Sequence, residues 1–281
     1  MNIDYRLDGS PAAPALVLSN SLGTWLDMWH PQISALCEHF FVIRYNQRGH
    51  GNTPLGPSPL TLEELGKDVI ELLDHLNIAR AHFCGISMGG LTGLWLNRYA
   101  PQRMNKLVIA NSAACIGNAL SWQQRSQKAQ RDGLQDIAIN SPARWFNEEF
   151  IQKNPRLLQV MIGRLATSQP AGYAACCLAL STADLRSEVS NMVRPMLIIA
   201  GSQDPITTVE ESTFIHEKAP QANLIILPTG HLSNLSCPDA FNAAVIDFLL
   251  EPPQSGHSPH GGLSYRNFPY QQAPYPQDRT P

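Results

Sequence analysis

The stretch Ala81–Gly90 limits what this chain can fold into more than any other. Within it, Gly85-Ile86-Ser87-Met88-Gly89 has the form G-x-S-x-G. The residues before it, His82-Phe83-Cys84, are short and apolar, as a buried strand is. Those after it, Leu91, Leu94 and Trp95, recur at helical spacing. A serine is therefore placed on a sharp turn between a strand and a helix. The glycines make room for a turn too tight for side chains beside Ser87, and the strained backbone lifts the hydroxyl above the sheet. The following helix aims its first amides and its dipole at any oxyanion formed there. The plain alternative is a Gly-rich turn with an incidental serine, so the rest of the chain has to supply chemical partners for Ser87.

Strand and helix signals alternate on both sides of this stretch. Residues 3–7 alternate enough for an edge strand, closed by the turn Gly9-Ser10-Pro11. Residues 15–18, 40–43, 107–110, 196–200 and 224–227 are short apolar runs of the kind buried on both faces of a parallel sheet. Helical character lies around residues 29–36. Thr61 opens a further helix, where Thr61 and Glu64 have capping-box spacing and Leu62, Leu65, Val69, Leu72, Leu73 and Leu76 form one apolar stripe. Residues 209–218 and a last stretch with Phe241, Ala244, Val245, Phe248 and Leu249 on one face complete the set. The pattern predicts an α/β protein, a mostly parallel sheet covered by helices on both faces.

The rhythm breaks between residues 117 and 193. That segment is rich in Gln, Arg and Ala, shows no strand pattern, and reads as a helical cap inserted between two strands. The expected organisation is a core of residues 1–117 and 192–250, a cap of residues 118–191, and a tail of residues 251–281. The tail turns to Pro, Gln, Ser, Gly and His and is expected to be disordered. With 281 residues and a formal charge of −3, the chain suits one large domain and shows no basic face for nucleic acid. No apolar run is long enough to span a membrane, and the start of the chain lacks a signal peptide's apolar region. The six cysteines are scattered, with Cys84, Cys115, Cys176 and Cys177 in apolar surroundings and no metal-ligand spacing. A cytoplasmic protein with free thiols, no metal and no cofactor is the expectation.

A serine so placed needs a base. In a sheet of this kind the partners follow in the order Ser, then Asp or Glu, then His. Asp204 lies in Gly201-Ser202-Gln203-Asp204-Pro205, directly after the strand at 196–200. His231 lies in Pro228-Thr229-Gly230-His231, directly after the strand at 224–227. Both leave strand ends on the edge where Ser87 emerges. His231 would take the proton of Ser87 and Asp204 would hold the imidazole in the right tautomer. Taken singly, a histidine after a glycine reads as a surface residue and an Asp-Pro pair as a turn; their joint order and placement favour catalysis. The amides of Met88 and Leu22 are the expected oxyanion donors, Leu22 because it lies in the loop after the strand at 15–18. Arg144 and Trp145, with Arg131 and Trp122 behind them, are the cap residues placed to meet a substrate. His50, in Arg48-Gly49-His50-Gly51, is expected to serve loop structure.

Residues 16–117 strongly resemble the bacterial 3-oxoadipate enol-lactonases, members of the α/β-hydrolase superfamily. The resemblance is carried by LVLSNSLGTWLDMWHPQI (16–33), RYNQRGHG (44–51), TLEELGKDVIELLD (61–74), HFCGISMGGLTGLWL (82–96) and LVIANSAA (107–114). It continues in ARWF (143–146), GYAACCLALSTADLR (172–186) and GHLSNLSCPDAF (230–241), so that little beyond the tail is left out. It implies an α/β-hydrolase fold with an inserted cap, and the opening of 3-oxoadipate enol-lactone to 3-oxoadipate in aromatic degradation. It also places nucleophile, acid and base on Ser87, Asp204 and His231. The substrate so implied is a small lactone carrying a carboxylate, for which Arg144 is the candidate contact. A general carboxylesterase or lactonase, and a ligand-binding protein without turnover, are the competing readings. One departure concerns the common D-x-R-G-x-G-x-S pattern, which here begins with Asn46 and ends with Thr53. The exchange removes a carboxylate and bears on loop rigidity rather than on chemistry.

Overall fold

The structure is a computed structural model and describes residues 2–56 and 59–252. Among the described residues seven strands form one sheet. They are β1 (Tyr5–Asp8), β2 (Ala15–Ser19), β3 (Phe41–Tyr45), β4 (Ala81–Ile86), β5 (Met104–Ala110), β6 (Met196–Gly201) and β7 (Ala222–Leu227), in the spatial order β1-β3-β2-β4-β5-β6-β7. Only β1 runs antiparallel, on the edge against β3. β2 and β6 are buried at every position, which is why both read as unbroken apolar runs rather than alternating ones.

The flanking helices are α1 (His30–Cys37), α2 (Leu62–His75) and α3 (Met88–Tyr99). The stripe on α2 faces the core through Leu62, Leu65, Val69, Leu72 and Leu73. The capping box expected at its start forms only by half. The Thr61 hydroxyl accepts from the Glu64 amide at 3.2 Å, but the Glu64 carboxylate lies 3.6 Å from both Arg48 and Lys67. Two cations compete for that carboxylate and leave it no reason to turn back to the backbone.

Between β5 and β6 come six helices: α4 (Ala119–Asp132), α5 (Gln135–Ile139), α6 (Pro142–Trp145), α7 (Glu148–Lys153), α8 (Pro155–Thr167) and α9 (Pro170–Thr182). α8 is two-faced, with Leu158, Met161 and Leu165 buried, whereas α9 is buried over most of its length. At one point α9 meets the core backbone to backbone. A Cβ on Gly172 would overlap Gly49, and one on Gly49 would overlap Gly172. Gly49 also has a positive φ of 73°. Two facing glycines thus let the cap sit directly on the loop after β3.

The chain closes with α10 (Val209–Lys218), α11 (Ser233–Ser236) and α12 (Pro238–Leu250). At the start of α10, Thr208 and Glu211 form the reciprocal capping box that α2 lacks. Phe241, Ala244, Val245, Phe248 and Leu249 are buried on α12, as their spacing predicts. The expected tail lies outside the described residues from position 253 on. Among the described residues no helix is long and apolar enough to cross a membrane.

Candidate active site

The ends of β4, β5, β6 and β7 lie side by side, and the loops leaving them build the site. Ser87 follows β4 with φ 57° and ψ −117°, a conformation that favours glycine and holds strain. Gly85 and Gly89 permit it, since a Cβ on either would overlap neighbouring backbone. Ser87 is also the N-cap of α3, yet its side chain makes no capping bond. An N-cap serine ordinarily accepts from the first-turn amides. Here the hydroxyl is held back from that role, and among the described residues it makes no hydrogen bond. The backbone is fixed instead: the Ser87 amide donates to the Ala110 carbonyl at 3.0 Å, and the Ser112 hydroxyl donates to the Ser87 carbonyl at 2.8 Å.

Asp204 and His231 meet. His231 Nδ1 lies 2.8 Å from Asp204 Oδ2, with both residues buried. The carboxylate also accepts from the amides of Ile206 at 2.8 Å and Thr207 at 3.1 Å, and from the Thr207 hydroxyl at 2.8 Å. Burial pushes this carboxyl up; the hydrogen bond and charge of His231, with the Ile206 and Thr207 donors, more than offset it and leave the pKa below the ordinary value. An ionised Asp204 fixes the proton of His231 on Nδ1, which leaves Nε2 as an acceptor. Nε2 makes no hydrogen bond among the described residues, so the Ser87–His231 bond is not formed in this structure. Catalytic bonds of this kind often close only around substrate.

The loop Ser19–Thr24 is tied down on both sides of Leu22. Asn20 donates to the Tyr45 carbonyl at 2.9 Å, accepts from the Trp29 indole at 2.8 Å, and its carbonyl accepts from Gln47 at 2.7 Å and from the Gly89 amide at 3.1 Å. That last bond joins the loop to the first turn of α3. The amides of Leu22 and Met88, the expected oxyanion donors, have no acceptor among the described residues. Next to Leu22, the Gly23 amide donates to His50 Nε2 at 3.1 Å. An amide only donates, so His50 must be neutral with its proton on Nδ1, where the Arg48 carbonyl accepts it at 3.2 Å. Burial lowers the His50 pKa and keeps it so. Asn46 uses both ends of its amide, accepting from the Leu26 amide at 2.8 Å and donating to Asp4 at 2.7 Å. Asp4, just before β1, thus places a carboxylate against Asn46.

The four expected cap residues fare differently. Arg144 is half-buried on α6, and its guanidinium makes no hydrogen bond or ion pair among the described residues. Burial and the nearby charge of Arg125 both work against its charge, and Tyr173 and Asp204 lie within electrostatic reach. Trp145 is buried, and its carbonyl accepts from the Leu232 amide at 3.1 Å, which clamps α6 onto the His231 loop. Trp122 is buried but has already given its indole N–H to the Ile116 carbonyl. Arg131 lies toward solvent: its side chain is 71% exposed and pairs with Asp132 at 2.8 Å. The arginine of α4 that does turn inward is Arg125, which donates to the Tyr173 hydroxyl at 2.7 Å. Tyr173 in turn lies against Gly23. Burial raises the Tyr173 pKa to about 12, so its hydroxyl stays protonated. Neither Arg125 nor Tyr173 stood out in the sequence as a site residue, although Tyr173 belongs to the GYAACC segment. A cavity of about 250 Å³ between α4 and α5 shares Arg125 with this cluster but is not lined by Ser87, Asp204 or His231.

A serine on a strand–turn–helix elbow, a buried Asp–His pair on the neighbouring strand ends and an inserted helical cap define the class. The sequence profile of the alpha/beta hydrolase fold matches residues 14–238, and the chain belongs to that family. Within it, the chain groups with the 3-oxoadipate enol-lactonases. It is 46% identical over 245 residues to "3-oxoadipate enol-lactonase 2" of Acinetobacter baylyi, covering 86% of this chain and 91% of that protein. It is 42% identical over 239 residues to "3-oxoadipate enol-lactonase 1" of the same organism, covering 85% and 90%. The crystal structure of the enol-lactonase from Burkholderia xenovorans LB400 superimposes with a TM-score of 0.87 at 40% identity, over 89% of this chain and 96% of that one.

Proposed function

We propose that the protein hydrolyses 3-oxoadipate enol-lactone to 3-oxoadipate, with Ser87 as nucleophile, His231 as base and Asp204 as the group that orients it. The observation that carries this reading is the buried Asp204–His231 pair, 2.8 Å apart, on the same sheet edge as an elbow serine whose hydroxyl is not used for capping. The names of the relatives supply the substrate.

In this mechanism the Ser87 oxygen attacks the lactone carbonyl carbon as His231 Nε2 takes the hydroxyl proton. The amides of Leu22 and Met88 hold the resulting oxyanion. Each such donor is worth roughly 2.7–4 kcal/mol of barrier. Collapse breaks the ring C–O bond and releases an enolate oxygen, a better leaving group than an alkoxide, so the proton returned by His231 is less critical than in ester hydrolysis. The enol tautomerises to the ketone. Water then attacks the acyl-serine carbonyl as His231 takes its proton; the C–O bond to Ser87 breaks, His231 returns that proton to the Ser87 oxygen, and the freed acid ionises to the second carboxylate. The carboxylate that the substrate already carries is met by Arg144, whose guanidinium has no protein partner among the described residues, with Arg125 adding positive potential. Burying a cation without a partner is unfavourable unless a ligand supplies the anion. The same reading places the protein in the cytoplasm and in aromatic degradation. Its six free thiols, three of them buried, agree with a reducing compartment.

The test is a spectrophotometric assay of purified protein on the enol-lactone and on neutral aryl esters of similar size. The reading expects kcat/KM for the enol-lactone to exceed that for the esters by orders of magnitude. Equal values would return the protein to the general esterases.

A further inference from the structure

Asn111 is the first residue after β5 and is fully buried, with a φ of 44° in the left-handed region that asparagine tolerates better than most side chains. Its backbone amide donates to the Ile199 carbonyl at 2.7 Å, which locks it to β6. Its side chain then reaches three different parts of the site. Nδ2 donates to Asp204 Oδ2 and to the Gly230 carbonyl, each at 3.1 Å. Oδ1 accepts from the Ser233 hydroxyl. The orientation of the amide is fixed by chemistry, because a carboxylate oxygen and a carbonyl oxygen can only accept and must face the NH2 end.

We infer that Asn111 is a positioning residue that sets the acid and the base against each other before substrate arrives. It binds the same Asp204 oxygen that receives the His231 Nδ1 proton. It also holds the chain on both sides of His231, through Gly230 before it and Ser233 after it. One amide thereby couples the loop after β6 to the loop after β7. Its side chain makes its hydrogen bonds to Asp204, Gly230 and Ser233 and none to Ser87, so its effect passes through the Asp204–His231 geometry. The inference rests on the assignment of Ser87, Asp204 and His231 made above. Asp at this position would turn the NH2 end into oxygen facing two other oxygens, one of them charged. Gly would accept the positive φ without strain and simply delete the bonds.

The experiment compares Asn111→Gly, Asn111→Asp and Ser233→Ala with the parent, and runs His231→Ala in parallel. Each is measured for kcat and KM on the enol-lactone and for the far-downfield proton resonance of the His231–Asp204 bond. Asn111→Gly is expected to lower kcat by about 10–100-fold, the range seen when partners that orient an imidazole are removed. KM should stay within about twofold, and the downfield proton should move or broaden. Asn111→Asp is expected to be the worse of the two. Ser233→Ala, which only frees the amide to turn, should lose less and should carry the inference if Asn111→Gly does not fold. An unchanged downfield proton with kcat within a factor of about two of the parent, in whichever of these variants folds, would overturn the positioning role. A loss of kcat matched by an equal rise in KM with that proton unmoved would overturn it as well. An active His231→Ala would instead bring down the assignment of the base, a distinct result.

Discussion

The strand ends and the cap meet at one site but hold their residues in opposite ways. At the strand ends the groups that support the catalytic pair are bonded, and the Ser87 hydroxyl and His231 Nε2 are left open among the described residues. The Asp204 carboxylate accepts from His231, Thr207, Ile206 and Asn111, and Asn20 is bonded through its carbonyl and through both ends of its side-chain amide. In the cap, the Arg144 guanidinium has no partner among the described residues and Arg125 is held by the Tyr173 hydroxyl. A group with all its bonds made is a fixed part of a machine, whereas a half-buried cation without an anion awaits one. On the function proposed above, the difference separates the roles: the strand ends would carry the bond-breaking chemistry and the cap would recognise the substrate's charge.

Variants on the two sides should therefore fail differently. The largest effect is expected at the strand ends. His231→Ala should lower kcat by roughly a million-fold with little change in KM, as when a member of a serine–histidine pair is removed elsewhere; initial-rate kinetics on the folded variant measure it. In the cap, Arg144→Ala should raise KM for the carboxylated lactone by about 10–100-fold, the loss of a charge-assisted hydrogen bond of about 1.5–3 kcal/mol. Its kcat should hold, and its KM for a neutral ester should not change. A fall in kcat of the same size for both substrates would erase the division of labour.

The junction between the two regions comes next. Gly172→Ala puts a methyl group against the Gly49 backbone. Overpacking of this kind costs about 1–3 kcal/mol. The expected result is a lower urea midpoint with an unchanged slope, since the cap is pushed off its seat rather than unfolded.

The smallest effect concerns pH and lies far from the cap. Burial, with some help from Lys106, lowers the pKa of His82 on β4 to about 4, against an ordinary value of 6.5. Between those values the unfolded chain binds a proton that the folded chain refuses. The stability tied to a neutral His82 is thus complete above pH 6.5 and drains away as pH falls toward 4. His82→Phe should flatten the fall in unfolding free energy between those limits, measured by urea titration at several pH values.

How far the sequence could be read follows the same division. The elbow at Ser87 is local: the motif, the strand and the helix adjoin one another, so ten residues were enough to place it. Asp204 and His231 were legible because each follows an apolar strand directly, and parallel strands deliver their ends to one edge. The cap resisted. Arg125 and Arg131 sit six positions apart on α4, about 240° around a helix of 3.6 residues per turn. One of them had to face outward, and nothing local says which. Only the packing of α4 on α9 decides for Arg125. Asn111 was illegible for another reason, since its role depends on a positive φ and on three partners far along the chain. At Thr61 the capping-box spacing was present, but Arg48 and Lys67 draw the Glu64 carboxylate away.

The central claim is that the hydroxyl on the elbow forms a covalent bond to the substrate's acyl carbon. Acid-quenching the enzyme during turnover of the enol-lactone, digesting it and weighing the peptides by mass spectrometry tests this directly. The account predicts that the peptide containing Ser87 gains the mass of the opened lactone, and that the Ser87→Ala protein shows neither the adduct nor turnover. Full turnover by Ser87→Ala, with no adduct on the parent, would contradict it.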